Sequence, residues 1–260
     1  MNTNGPLSGK RILITRGGKE GERLAAQIEA LGGKAFVVPM IAFRAYEDPN
    51  AHEYLKKLPE YDWAVFTSKN GVQYFLEQCS KSGISCDRLY INWAAVGKKT
   101  AAYMDKCGLK ASFTPSKYTA KDFAAAFLSS GHSLKRVLLP KGNLASSEIA
   151  DSLKKSGIIV DEWIVYETYL PPESREKLLE VLKWENIDFA LFASPSAFRH
   201  FKAVIDASGI DHAAQRIKMA AIGPVTKSAV EEAGFTVQVS PDEYTMPAML
   251  SALCQYVTRV

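Results

Sequence analysis

The chain has 260 residues, 47% hydrophobic and 23% charged, with a formal net charge of +4. That length and apolar content suffice for two cores and exclude an extended disordered polymer, while so small a positive excess gives no footprint for nucleic acid and suits a small anionic ligand. No run reaches the roughly 18 apolar residues of a membrane span, and the opening MNTNGPLSGK lacks the apolar stretch of a secretory leader, so the expected location is the cytoplasm, away from membranes.

In chain order, KRILIT (10–15) is an apolar run suited to a strand buried on both faces. It leads into a helix with Leu24, Ile28 and Leu31 on one face and Gly32 as its end signal. KAFVVPMIAF (34–43) is strand-like, but Pro39 cannot donate a ladder bond, so this segment marks an edge or a crossing between domains. A polar helix near 50–58 follows. Then come the strand DWAVFTS (62–68) with a helix from Asn70, the strand NWAAVG (92–97) with a helix from Lys98, a short strand at 110–113, and a helix at 119–128. The pattern then recurs: KRVLLP (135–140), a helix at 146–155 closed by Gly157, the strand-like IIVDEWIVYETYL (158–170) ended by Pro171 and Pro172, and a helix at 174–182. The strand DFALFAS (188–194) with a helix from Pro195, the strand IKMAAIG (217–223) with a helix from Pro224, the strand FTVQV (235–239) and a terminal helix at 245–256 complete the chain.

This recurrence is a duplication. AAVGKKT (94–100) returns as AAIGPVT (220–226), DWAVFTSKNGVQYF (62–75) as DFALFASPSAFRHF (188–201), and RILITRGG (11–18) as RVLLPKGN (136–143). The Tyr118-Thr119 pair returns as Tyr244-Thr245. A repeat of about 125 residues is far beyond the 20 to 50 of a solenoid unit and marks two similar domains. Alternating strands and helices imply an α/β class with two doubly wound parallel sheets. Ligands of such sheets bind beyond the carboxyl ends of the strands, at helix N-termini.

The loops at those ends carry Thr15, Thr67, Ser68, Asn70, Gly97, Thr100, Lys141, Gly142, Asn143, Ser194, Ser196, Gly223 and Thr226. Taken singly, each suits a helix cap or a tight turn; as a set they offer hydroxyls and backbone N–H groups to a ligand with several carboxylates or phosphates. Lys98 and Lys99 sharpen this, because two cations in a helix's first turn oppose its macrodipole at about 0.3–1 kcal/mol each. Phosphate-loop, dinucleotide, zinc-protease and nucleophile-elbow motifs are missing. The four cysteines and four histidines lack ligand spacing, so no metal and no cofactor is expected. Tyr166, in VYET near the end of an apolar strand, suits either the core or a catalytic hydroxyl.

VFTSKNGV, AAVGKKT, LLPKGN, VYET, FASPSA and AAIGPVT together resemble the scattered motifs of the uroporphyrinogen-III synthase family, in its order and over nearly the whole chain. The resemblance implies two domains joined by a two-stranded linker: residues 1–39 with 169–260, residues 44–163, and crossings at 40–43 and 164–168. It implies a cofactor-free lyase, acting as a monomer in haem (porphyrin) biosynthesis. Its substrate would be hydroxymethylbilane, a linear tetrapyrrole polycarboxylate that loses water and closes with its last ring inverted. Thr67, Ser68, Thr100, Ser194, Ser196, Gly223 and Thr226 then fall in the family's cleft motifs, and Tyr166 matches its tyrosine that assists departure of the hydroxyl. Thr15, Lys98, Gly142 and Asn143 join the expected binding set from their strand-end loops. Two other readings stay open: a two-lobed protein that binds an anionic ligand without chemistry, and a synthase-like paralogue without turnover.

Overall fold

The computed structural model describes residues 5–210 and 214–259 and divides the chain into two compact units, Met1–Ala42 with Tyr169–Val260, and Phe43–Thr168. The first unit holds a parallel sheet of β1 (Arg11–Ile14), β2 (Lys34–Val37), β8 (Phe189–Phe192), β9 (Lys218–Ala221) and β10 (Val237–Val239), in the spatial order β2-β1-β8-β9-β10. RILI and FALF are almost wholly buried, as apolar runs must be where helices cover both faces of a sheet. Those covers are α1 (Gly18–Ala30), α7 (Pro172–Trp184), α8 (Pro195–Ser208), α9 (Pro224–Glu232) and α10 (Met246–Arg259). Phe192, Phe198 and Phe201 fill one side of the sheet; Ile12, Leu24 and Met249 fill the other.

The second unit has β3 (Ala42–Ala45), β4 (Trp63–Phe66), β5 (Asn92–Ala95), β6 (Arg136–Gly142) and β7 (Ile159–Tyr169), ordered β3-β7-β6-β4-β5. Its helices are α2 (Ala51–Lys56), α3 (Lys69–Lys81), α4 (Lys98–Lys106), α5 (Ala120–Leu128) and α6 (Glu148–Lys155). When β6, β7, β4 and β5 are matched to β1, β2, β8 and β9, the two sheets have the same spatial order. The duplicated sequence has therefore built the same doubly wound sheet twice, with a different path through it.

Three departures from the sequence expectation have physical causes. Residues 34–43 are not one strand: β2 stops at Val37 and β3 begins at Ala42, with Pro39 between them and Met40 held by its N–H on Thr15 O (2.9 Å) and by its carbonyl against His200 Nδ1 (2.6 Å). Residues 110–113 give only an isolated bridge, Ala94 to Phe113, at the edge beyond β5. The expected crossing at 164–168 lies inside β7, where Val165 and Tyr166 pack into the second core with Trp163 and Phe66. On the outer side of β7, Tyr46 N donates to Val165 O (3.1 Å) and Arg44 pairs with Glu167, so β3 runs antiparallel to it.

The amino ends of the strands are tied by carboxylates. Asp62 accepts from the backbone N–H of Lys135 and Arg136 (2.8 Å each), and its repeat counterpart Asp188 accepts from Arg11 N (2.8 Å). Tyr61 donates to Asp161 at 2.8 Å, and burial followed by that hydrogen bond pushes its phenol well above the usual tyrosine range. The carboxyl ends carry neutral polar groups such as Ser68, Asn143 and Ser194 beside charged residues that include the Lys141–Glu162 pair.

Because β3 and β7 complete the second core, residues 43–168 expressed alone are expected to give one cooperative urea transition by circular dichroism. A fragment of residues 1–130, which takes β1 and β2 away from β8, is expected to show none. A cooperative 1–130 with an unfolded 43–168 would contradict this division.

Candidate functional site

At the carboxyl end of the second sheet, the parallel pairing of β6 with β7 slips. Lys141 lies opposite Ile164, but Gly142 lies opposite Tyr166, so Val165 is the extra residue of a bulge. In a regular strand Val165 and Tyr166 would face opposite sides; here both join the same core. The bulge lays the Tyr166 ring on Gly142, where an added Cβ would meet ring Cζ at 2.5 Å, Cε2 at 2.7 Å and Oη at 2.8 Å. Only glycine leaves room for the ring. Tyr74 of α3 stacks on Tyr166 (centroids 5.5 Å, 21°), and Phe43 meets it edge-on (5.9 Å). Tyr166 is 8% exposed, and its Oη lies 3.3 Å from Ser68 Oγ.

Ser68 is the N-cap of α3, its Oγ accepting from Gly71 N at 3.0 Å. Asn143 closes the loop after β6: its N–H donates to Tyr166 O (3.1 Å), and its Oδ1 accepts from Thr168 N (2.9 Å). Ser68, Gly142, Asn143 and Tyr166 thus form one connected group. Thr67 stands beside it, exposed. Lys98 and Thr100 lie at the head of α4, behind the neighbouring strand β5.

In the first unit, Ser194 caps α8 in the same way, with Ala197 N donating at 3.2 Å, and Ser196 lies half-buried in that helix's first turn. Gly223 caps α9 and Thr226 follows in its first turn. In the first unit Gly17, the counterpart of Gly142, is closed in by Pro39, whose Cγ would lie 2.7 Å from an added Cβ. Among the described residues, the tyrosine site lies in the second unit only.

The three threonines differ. Thr15 is fully buried and its Oγ1 donates to Leu191 O at 2.6 Å, which ties β1 to β8 and leaves no proton for a ligand. Thr100 and Thr226 are 6% and 3% exposed, and neither hydroxyl has a protein partner among the described residues. The helices that follow β4, β5, β8 and β9 carry no Asp or Glu in their first turns, whereas α1, α5, α6 and α7 do. Four positive helix ends are left uncompensated, and at α4 Lys98 and Lys99 add to that field. The arrangement suits carboxylates held by neutral donors with a modest cationic supplement. Among the described residues no group of His, Cys, Asp and Glu is placed to hold a metal, and no helix is long and apolar enough to cross a membrane.

Sequence reasoning missed Tyr74 and Phe43, which immobilise Tyr166; nothing in their spacing links them to it. It also passed over Tyr118 and Tyr244, noted only as markers of the repeat. Both are exposed, and each packs on a cap glycine: an added Cβ on Gly97 would meet Tyr118 at 3.9 Å, and one on Gly223 would meet Tyr244 at 3.1 Å.

The duplicated sheets and their strand-end loops define the class: a doubly wound α/β protein of two like units with neutral polar groups at the carboxyl ends of its strands. Over residues 22–251 the chain matches the family model described as uroporphyrinogen-III synthase HemD, and it belongs to that family of cyclising lyases of porphyrin biosynthesis. It is 27% identical to the uroporphyrinogen-III synthase of Synechococcus elongatus, over 96% of this chain and 97% of that protein, and 27% identical to that of Chlorobaculum parvum, over 95% and 98%. The crystal structure of a mutant uroporphyrinogen III synthase from Thermus thermophilus shares the fold with a TM-score of 0.72 and 20% identity, over 97% of this chain and all of that one.

Gly142→Ala is expected to lower stability by about 1–3 kcal/mol, the usual cost of overpacking, because the added methyl meets a ring held on its other sides. A thermal midpoint equal to wild type would show that the ring is free to move.

Proposed function

We propose that this chain converts hydroxymethylbilane to uroporphyrinogen III, with Tyr166 as the proton donor to the departing hydroxyl. Family membership over residues 22–251 supports the reaction. The observation that carries the assignment of Tyr166 is its placement: a phenol 8% exposed, immobilised between Gly142 and Tyr74, at the carboxyl end of a parallel sheet. A phenol hydroxyl carries one proton that it can donate.

The chemistry asks little else of the protein. An electron-rich pyrrole expels the terminal hydroxyl, which takes the phenolic proton and leaves as water. The cationic carbon left behind bonds to the last ring at the ring carbon that already carries the bridging methylene; that older carbon–carbon bond breaks, and the freed methylene bonds to the ring's unsubstituted α-carbon, whose lost proton balances the one supplied and whose new bond leaves the ring inverted. The protein's larger task is to hold a flexible polycarboxylate in the folded shape that brings the substituted carbon of the last ring, in place of its free one, to the cationic carbon, which is catalysis by orientation. Thr67, Thr100, Ser194, Ser196, Gly223 and Thr226 serve that task as neutral donors to carboxylates, with Lys98 nearby and Asn143 holding the loop. Thr15 acts through the sheet.

Given hydroxymethylbilane without added metal or nucleotide, the protein is expected to yield isomer III; isomer I, the uncatalysed product, would defeat the reading. Tyr166→Phe should lower kcat by roughly 10²-fold or less, at the low end for a general acid, because water substitutes in part. KM and the isomer formed should stay nearly unchanged, since ring inversion is set by substrate geometry. Full activity in Tyr166→Phe would return the residue to the core.

The threonines separate in a second experiment. Thr100→Val and Thr226→Val keep the buried shape and are expected to raise KM with little loss of stability. Thr15→Val removes one buried hydrogen bond and should cost about 1 kcal/mol of stability with KM unchanged. The reverse pattern would place the ligand on Thr15.

A further inference from the structure

The Tyr166 ring is immobilised on three sides, by Gly142, Tyr74 and Phe43, so the remaining freedom at its hydroxyl is the direction of one hydrogen bond. Its partner, Ser68 Oγ at 3.3 Å, permits either atom to donate. If Tyr166 donates, the phenolic proton is engaged inside the protein and is withheld from a substrate. If Ser68 donates, that proton is free.

We propose that Ser68 is a positioning residue for Tyr166: with substrate bound it donates its hydroxyl proton to Tyr166 Oη and leaves the phenolic proton directed at the departing hydroxyl. This rests on the reading of Tyr166 as the donor. Ser68 Oγ already accepts from Gly71 N, which fixes one lone pair and the orientation of the side chain. Its own proton is then available to the phenol, and a donor at Oη stabilises the negative charge that grows there as the proton departs. The distance is long for an O–H···O bond, whose usual value is about 2.7–2.8 Å; bonds of this kind tighten when the substrate arrives.

The repeat separates this role from capping. Ser194, the counterpart of Ser68, caps α8 just as Ser68 caps α3, yet the residue that lies on Gly17, the counterpart of Gly142, is Pro39, which has no hydroxyl. Capping accounts for a serine in both units. The contact with a phenol belongs to the second alone.

The test uses the full chain with Ser68→Gly, Ser68→Ala and Ser68→Thr, each alone and combined with Tyr166→Phe. Glycine is nearly as good as serine at an N-cap and alanine is not, so thermal midpoints should fall more for alanine. The kcat values of the two should fall alike, by about 3- to 10-fold, the scale of a single neutral hydrogen bond. KM should hold, and Ser68→Thr should recover most of the rate. In the Tyr166→Phe background Ser68→Gly should add little further loss. The Tyr166 phenol, titrated by ultraviolet difference against Tyr166→Phe, should move to higher pH in Ser68→Gly, because its anion has lost a donor.

A rise in KM at constant kcat would make Ser68 a direct carboxylate ligand and overturn the proposal. So would an equal loss from Ser68→Gly with and without the Tyr166 hydroxyl, or an unmoved phenol titration. Full activity in Tyr166→Phe alone would remove the acid role itself, and the phenol titration would still report whether Ser68 donates to it.

Discussion

The second unit is organised around the contact of one aromatic ring with one glycine. Tyr166 can lie on Gly142 because β7 carries an extra residue against β6 and because Gly142 has no Cβ. Each condition is useless without the other. The bulge with any larger residue at 142 would drive a methyl into the ring, and glycine without the bulge would face Val165. From this contact follow the burial of the phenol, its approach to Ser68, and the anchoring of Asn143 on the Tyr166 carbonyl. Bulges recur where a side chain must be re-aimed near a functional site, and here the re-aimed group is the one hydroxyl suited to the proposed chemistry.

The two units show what duplication preserved and what it let diverge. Ser68 and Ser194 cap equivalent helices, Gly97 and Gly223 open the next ones, and Thr100 and Thr226 sit buried in their first turns with unspent hydroxyls. These features suit any anionic group at a helix N-terminus, and both copies keep them. The close approach after β1 and β6 diverged. Pro39 fills it in the first unit, where nothing titratable enters; Tyr166 fills it in the second.

Charge follows the same division between the ends of each sheet. Asp62, Asp188 and Asp161 occupy the amino ends, where they accept from backbone N–H groups, an arginine and a tyrosine. The helices that follow β4, β5, β8 and β9 have no carboxylate in their first turns, and Lys98 and Lys99 stand at one of them against the local preference. An isolated helix would be more stable with an acid there by about 0.3–1 kcal/mol. That stability is forgone at four helices together, a local rule broken in the same place in both units.

Much of this was legible in the residues. The duplication, the alternation of strand and helix, the doubly wound class and the polar composition of the strand-end loops follow from local rules: apolar runs of strand length, glycine and proline at turns, serine before helices. The family resemblance rested on the same short stretches. The roles of individual side chains were not legible, because they depend on pairing across long separations. Thr15, Thr100 and Thr226 are alike as letters, yet Thr15 gives its proton to a carbonyl 176 residues away and the other two keep theirs. Residues 34–43 look like one strand but are divided between two sheets, since which edge a strand joins depends on neighbours far along the chain. Tyr74 and Phe43 meet Tyr166 only once α3 and β3 have docked. By itself the sequence determined which elements form and what chemistry their loops offer, because both are local. The tertiary structure alone decided the register of β7 against β6, and with it which hydroxyl faces which, because a shift of one residue reverses every side chain in a strand.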